Sequence, residues 1–170
     1  MIGSASGRPR RGRVSYADAL PASAAAAAAS ASVAFFRPWV VLSANLGSPS
    51  LLEMSGSALA QEAGGLIPWM YVTPIALLMV LAVACLRVFA QSATVRVLYG
   101  MALPVLAIPI LVWPSAALAR ATHNLTRLQI GGAISLKAWW WIYCVAVAVT
   151  IIAGLFDLTA SVKRALESKG

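Results

Sequence analysis

The chain is poor in the residues on which most enzymes depend. Of its 170 residues, five are acidic, one is a histidine (His123) and two are cysteines (Cys85 and Cys144). No Ser/His/Asp or Cys/His set can be assembled from this sequence, and it contains no glycine-rich phosphate-binding motif. We therefore predict that the protein is not an enzyme.

The same scarcity argues against a metal, haem or other cofactor. A single histidine without a second His or Cys is weak evidence for a ligand. We interpret His123 as a polar residue at the membrane interface, with an axial-ligand role as the alternative. The two cysteines lie in different apolar segments at different depths, beyond the roughly 7 Å that a disulfide requires. Lipids are the only small molecules that we expect to bind.

Charge is missing from three long stretches, 66–86, 97–119 and 138–158, except for Asp157 at the end of the third. About 20 apolar residues in a helix cross the hydrocarbon core of a bilayer. Only a helix or a closed barrel satisfies the backbone there. With 61% hydrophobic residues and a mean hydropathy of +0.83, the chain is predicted to be an integral membrane protein with three transmembrane helices in these stretches.

Residues 17–43 are less apolar, but six consecutive alanines at 24–29 favour a helix. We predict a first transmembrane helix here, with a helix lying in the interface as the alternative. The predicted fold class is therefore all-α, a bundle of four transmembrane helices over residues 17–158. Residues 1–16 and 159–170 are predicted tails. Outer loops are expected at 44–65, with a short helix at 57–63, and at 120–137.

The third apolar stretch contains three prolines at intervals of five residues, Pro104, Pro109 and Pro114. Each proline lacks the N–H that would bond the carbonyl four residues earlier. We predict a bent helix whose freed carbonyl groups find donors on neighbouring helices.

Aromatic side chains cluster where the predicted helices meet the outer surface, and such clusters are typical of the aromatic belt of membrane proteins. The residues predicted to lie at this interface are Phe35, Phe36, Trp39, Trp69, Trp139, Trp140 and Trp141.

The net charge of +8 lies in the tails and at the helix ends, so we expect it to set topology and to attract anionic lipids, not nucleic acid. With the N-terminus inside, nine basic residues fall on the cytoplasmic side and four on the other. The prediction is N-in and C-in. The basic cytoplasmic tail contains Arg8, Arg10, Arg11 and Arg13.

Asp157 is interpreted as a helix-end carboxylate near Lys163 or Arg164. Because no ionisable residue falls at mid-bilayer, a proton-coupled transporter is disfavoured. Ala146, Thr150 and Gly154 recur every four residues on the last helix. Such small-residue stripes allow close helix packing in lipid. We expect another helix to pack there, and this contact could hold the chain in an assembly of subunits.

In layout the chain resembles a loose class of bacterial four-span membrane proteins without an assigned activity. The residues concerned are the aromatic-Pro-Trp segment 35–43, the Ser-Gly segment 55–60, the Gly pair at 131–132 and Trp139–Trp141. The resemblance implies the bacterial cytoplasmic (inner) membrane but no functional residue. We expect a non-catalytic accessory or structural subunit, with other integral membrane subunits as partners. A small oligomeric carrier or channel is the alternative.

Overall fold

A computed structural model of the protein describes residues 16–45, 49–63, 72–127 and 132–167. In chain order the elements are α1 (Tyr16–Phe35), β1 (Pro38–Asn45), β2 (Pro49–Ser55), α2 (Gly56–Ala63), α3 (Val72–Phe89), α4 (Ala93–Arg127), β3 (Gly132–Leu136) and α5 (Ala138–Glu167). The chain is mostly helical, with a small β-sheet at one end of a helix bundle.

Three helices are long and apolar enough to cross a membrane: α3, the part of α4 up to Arg120, and α5. Their outward faces carry large apolar side chains such as Leu78, Val105 and Ile152, each about half exposed or more. Apolar surface of this extent is typical of a face that meets lipid. These features indicate a multi-pass membrane protein. The apolar part of α1, Ala19–Phe35, is shorter.

The four long helices form an up-down bundle. Helix α1 packs against α5 and α3, and α4 packs against the same two helices. Therefore α3 and α5 stand on one diagonal of the bundle and α1 and α4 on the other. Helices α1 and α4 end near the sheet, whereas α3 and α5 end at the opposite end of the bundle, called the far end below.

Alanines allow α1 to lie close to its neighbours. Ala24, Ala28, Ala31 and Phe35 are buried, and their spacing of three or four residues places them on one face of the helix. This face packs mainly against α5. The small side chains on this face thus let α1 pack inside the bundle.

Glycines set the distance between α4 and α5. A Cβ added at Gly154 would lie 3.1 Å from the Cβ of Leu103 and 3.3 Å from Cδ of Pro104. On the other side of the contact, a Cβ at Gly100 would lie 3.1 Å from the Cα of Leu158. Ala146, Thr150 and Gly154 of the predicted stripe are buried. Helix α4 of the same chain packs against Gly154. Gly154 is therefore not open to a second subunit.

The all-α prediction is wrong at the sheet end. Strands β1, β2 and β3 form an antiparallel sheet in the order β2-β1-β3. Strand β1 pairs with β2 from Pro38↔Ser55 to Asn45↔Pro49, and with β3 from Val40↔Leu136 to Ala44↔Gly132. The two stretches predicted as outer loops, 44–65 and 120–137, contribute β2 and β3 to this sheet.

Connectivity explains why the sheet forms here. The chain leaves α1 directly into β1, and it enters α5 directly from β3. Because α1 and α5 pack side by side, the two strands are brought together at the end of this helix pair. The N–H of Lys137 donates to the carbonyl of Trp39 at 2.7 Å, which continues the ladder to the start of α5.

The structure also changes several predicted boundaries. The first helix ends at Phe35, and residues 38–43 are strand instead of the end of a transmembrane segment. Helix α4 continues to Arg127, eight residues into the predicted outer loop. The short helix predicted within 44–65 is confirmed as α2, where the Ser55 hydroxyl accepts the N–H of Ala58 at 3.1 Å as an N-cap.

Candidate functional site

A buried aromatic cluster, called the aromatic junction below, fastens the sheet to the bundle. Trp39 of β1 is fully buried. Its ring centroid lies 5.4 Å from Phe35 of α1, and 5.1 and 4.6 Å from Trp140 and Tyr143 of α5. Edge-on and tilted contacts in this distance range are favourable beyond the area that they bury. The indole N–H donates to the carbonyl of Ala34 at 2.7 Å, so no polar atom of this large side chain is left unpaired.

Gly56 is the residue that lets α2 start above the aromatic junction. A Cβ at this position would lie 2.5 Å from the Trp39 ring and 2.7 Å from the carbonyl oxygen of Phe35. Real Cβ atoms do not approach so closely, and neither backbone nor a buried indole moves easily in a close-packed interior. Glycine at position 56 therefore allows the start of α2 and the end of β2 to lie directly against the junction.

The predicted belt residues separate into two groups. Phe35, Trp39 and Trp140 are buried in the aromatic junction, so they do not face lipid headgroups. Phe36 and Trp141 are 66% and 58% exposed, as side chains at a membrane boundary are. Trp139 is half-buried and lies under the guanidinium of Arg37, 5.6 Å from its ring centroid. Trp69 lies outside the described residues.

Tyr143 also provides the hydrogen bond that Pro114 removes. Because proline has no N–H, the carbonyl of Ile110 has no helical donor four residues later. The Tyr143 hydroxyl donates to this carbonyl at 2.8 Å, from α5 to α4. Ile110, Pro114 and Tyr143 are all buried, so no solvent reaches the bond. At this position, the expectation that a freed carbonyl finds a donor on a neighbouring helix is confirmed.

At the far end an ion pair crosses the bundle. Arg87 of α3 donates through Nε and one terminal nitrogen to the two carboxylate oxygens of Asp157 of α5, both at 2.5 Å. The two residues are 3% and 2% exposed. Ser161, one turn later, accepts from Arg87 at 3.4 Å. The prediction that Asp157 pairs with Lys163 or Arg164 is wrong, and Lys163 lies 4.0 Å from Glu167 instead.

The Arg87–Asp157 pair connects two helices that do not pack directly against each other. Helices α3 and α5 are diagonal, so the Arg87–Asp157 pair lies across the bundle interior. The aromatic junction fills the interior at the sheet end. Buried side chains thus lie in the bundle interior at both of its ends. Removing one partner of a buried, mutually bonded charge pair leaves the other charge without compensation, which is strongly destabilising.

The sheet presents polar groups on its surface. Lys137, directly after β3, forms an ion pair with Glu53 of β2, although the two strands lie on opposite sides of β1. Ser135 of β3 is exposed. Among the described residues, β2 and β3 each pair on one side only, so the outer edge of each strand has unpaired backbone groups of the kind that accept another chain.

The remaining predicted residues are distributed over the molecule. His123 is an exposed residue near the end of α4, in a helix and not in a loop. Within the described part of the chain, no three His, Cys, Asp or Glu side chains are grouped as a metal site would need. Cys85 of α3 and Cys144 of α5 are free thiols. The basic tail with Arg8, Arg10, Arg11 and Arg13 lies outside the described residues.

A comparison with known protein families and with curated proteins finds no match to this sequence. The candidate site therefore depends on the geometry alone: a three-stranded sheet fixed rigidly to the end of a membrane helix bundle.

Proposed function

We propose that the protein is a non-catalytic structural subunit of a larger assembly in the bacterial cytoplasmic membrane. In this proposal the bundle holds the chain in lipid, with α1 as a fourth span. The sheet forms the contact surface for a neighbouring integral membrane chain. The observation that carries the proposal is the aromatic junction, because it holds the sheet rigidly on the helices through Trp39.

Rigidity supports a role in docking. A surface that is already ordered loses little conformational entropy when a partner binds. The ion pair between Lys137 and Glu53 ties the edge strands together across β1, and the unpaired edges of β2 and β3 offer backbone donors and acceptors to a strand or loop of another chain.

The proposed orientation places both termini in the cytoplasm and the sheet outside. Among described residues the far end carries Arg87, Arg96, Lys163 and Arg164. Five further basic residues belong to the tails, which this proposal assigns to the same side. Such an excess favours the cytoplasmic side of the membrane.

A small oligomeric carrier or channel is the second candidate. The aromatic junction and the Arg87–Asp157 pair are buried at opposite ends of the bundle, which disfavours a path along the axis of one chain, so a path would have to run between copies. Purification from native membranes in a mild detergent separates the candidates. A fixed set of other membrane chains in constant ratio is the result expected for a structural subunit. A homo-oligomer free of other chains would refute that proposal.

A further inference from the structure

The far end of the bundle contains a small cavity between the α3–α4 turn and α5. Its volume is about 80 Å³, and it is lined by Gln91, Ala93, Arg96, Ser161 and Arg164. A water molecule takes up roughly 30 Å³ in the liquid, so the cavity has room for a group the size of two or three waters. Two of its five lining residues carry guanidinium groups.

Described carboxylates do not neutralise this positive charge. Asp157 is bonded through both oxygens to Arg87, and Glu167 lies beside Lys163. Arg96 uses its Nε to bond the carbonyl of Ala90 at 2.9 Å, which orients the guanidinium and leaves its terminal nitrogens for another acceptor. Arg164 is exposed and forms no ion pair with any described residue.

The start of α4 adds to the positive potential. Ala93, the first residue of this 35-residue helix, lines the cavity, and the Ser92 hydroxyl accepts the N–H of Val95 at 3.3 Å. The first N–H groups of a helix have no partner within it, and its dipole places partial positive charge at this end. Two arginine residues and the N-terminal residue of a helix thus line one cavity.

The position of the cavity along the membrane normal indicates which anion it binds. Helix α3 has 18 residues, which at 1.5 Å per residue is about 27 Å, close to the thickness of the hydrocarbon core. The α3–α4 turn therefore lies at the level of the lipid headgroups, where phosphate groups are the abundant anions. Arginine binds a phosphate through two parallel hydrogen bonds.

We infer that this cavity binds the phosphate group of an anionic phospholipid between Arg96 and Arg164. The inference is independent of the proposed subunit function and of the orientation in the membrane, because both leaflets place phosphates at this depth. A bound lipid headgroup would tie the turn between α3 and α4 to the end of α5, next to the Arg87–Asp157 pair.

Native mass spectrometry of the full chain, titrated with phosphatidylglycerol or phosphatidylcholine, tests this site. The parent protein should retain one phosphatidylglycerol in preference to phosphatidylcholine. Arg164→Gln should weaken this binding at least tenfold. Lys163→Gln removes the same charge from the neighbouring residue, outside the cavity, and should weaken binding no more than about fivefold, the effect of one charge near an anionic surface.

Equal losses in the two variants would show general surface attraction and would overturn the inference. So would equal binding of the two lipids by the parent protein. Inorganic phosphate serves as the competitor: if millimolar phosphate displaces phosphatidylglycerol from the parent, the cavity takes free phosphate and the assignment to a lipid is wrong. Since Arg164 is exposed, an unchanged tryptophan emission spectrum should verify that the variant is folded.

Discussion

Replacing Tyr143 with phenylalanine removes one oxygen from the bundle interior and leaves the Ile110 carbonyl without its donor. The ring contacts with Trp39 and Phe35 remain, so the change isolates the hydrogen bond. An unsatisfied buried acceptor costs about 1–3 kcal/mol, whereas hydrogen bonds between membrane helices average about 0.6 and reach about 1.7 kcal/mol. We expect Tyr143→Phe to lower the free energy of unfolding by about 1–2 kcal/mol.

A double-mutant cycle with Pro114→Ala tests the cause of this loss. Alanine at position 114 restores a backbone N–H that can bond the Ile110 carbonyl within α4. In that background Tyr143→Phe should cost about 1 kcal/mol less than in the parent, because the carbonyl keeps a donor.

Unfolding in mixed micelles with increasing denaturing detergent, followed by tryptophan fluorescence, gives the four free energies. Ser115→Ala is the matched control, since the Ser115 hydroxyl makes an ordinary bond to the Leu111 carbonyl on the exposed side of the same helix. It should change stability by less than about 0.5 kcal/mol. Strictly additive effects of Tyr143→Phe and Pro114→Ala would refute the assignment of the hydroxyl to the carbonyl freed by proline.

Three further changes address the other contacts. Gly154→Leu should cost about 1–3 kcal/mol by overpacking the contact with α4, measured in the same unfolding assay; an unchanged stability would mean that the glycine faces lipid. Arg87→Met alone should cost about 3–5 kcal/mol by leaving Asp157 buried and unpaired, and adding Asp157→Leu should recover most of that loss. If the double variant is as unstable as the single one, the charge is not the cause. Gly56→Ala should expose Trp39 to aqueous quenchers and shift its emission to longer wavelength, whereas unaltered quenching would contradict the close approach of α2.

Hydropathy predicted the long helices because the signal is summed over about 20 residues and hardly depends on tertiary contacts. The sequence does not predict the strands, because the segments that form them resemble a helix end and a loop. The apolar residues after Pro38 read as the end of a transmembrane helix, although the β-branched pair Val40-Val41 is more typical of strand. The pairing partner of Val40, Leu136, lies far along the chain, and no periodicity in either segment indicates it.

The ion pair and the aromatic junction escaped prediction because both depend on the arrangement of the helices. The sequence predicts that Asp157 pairs with basic residues of its own helix, six and seven positions later. Only the diagonal relation of α3 and α5 brings Arg87 to it. The position of the aromatic residues at helix ends predicts a belt. Which of them face inward, as Trp39 and Trp140 do, is decided by the sheet that closes over them.

Photo-crosslinking from the sheet in native membranes tests the proposed function most directly. A photoreactive residue at Ser135, exposed on β3, should give one discrete adduct with a second membrane protein. The same residue at Thr94, exposed at the far end of the bundle, should not give that adduct. Adducts from Ser135 only with lipid, or only with another copy of this chain, would contradict a structural subunit that contacts its partner through the sheet.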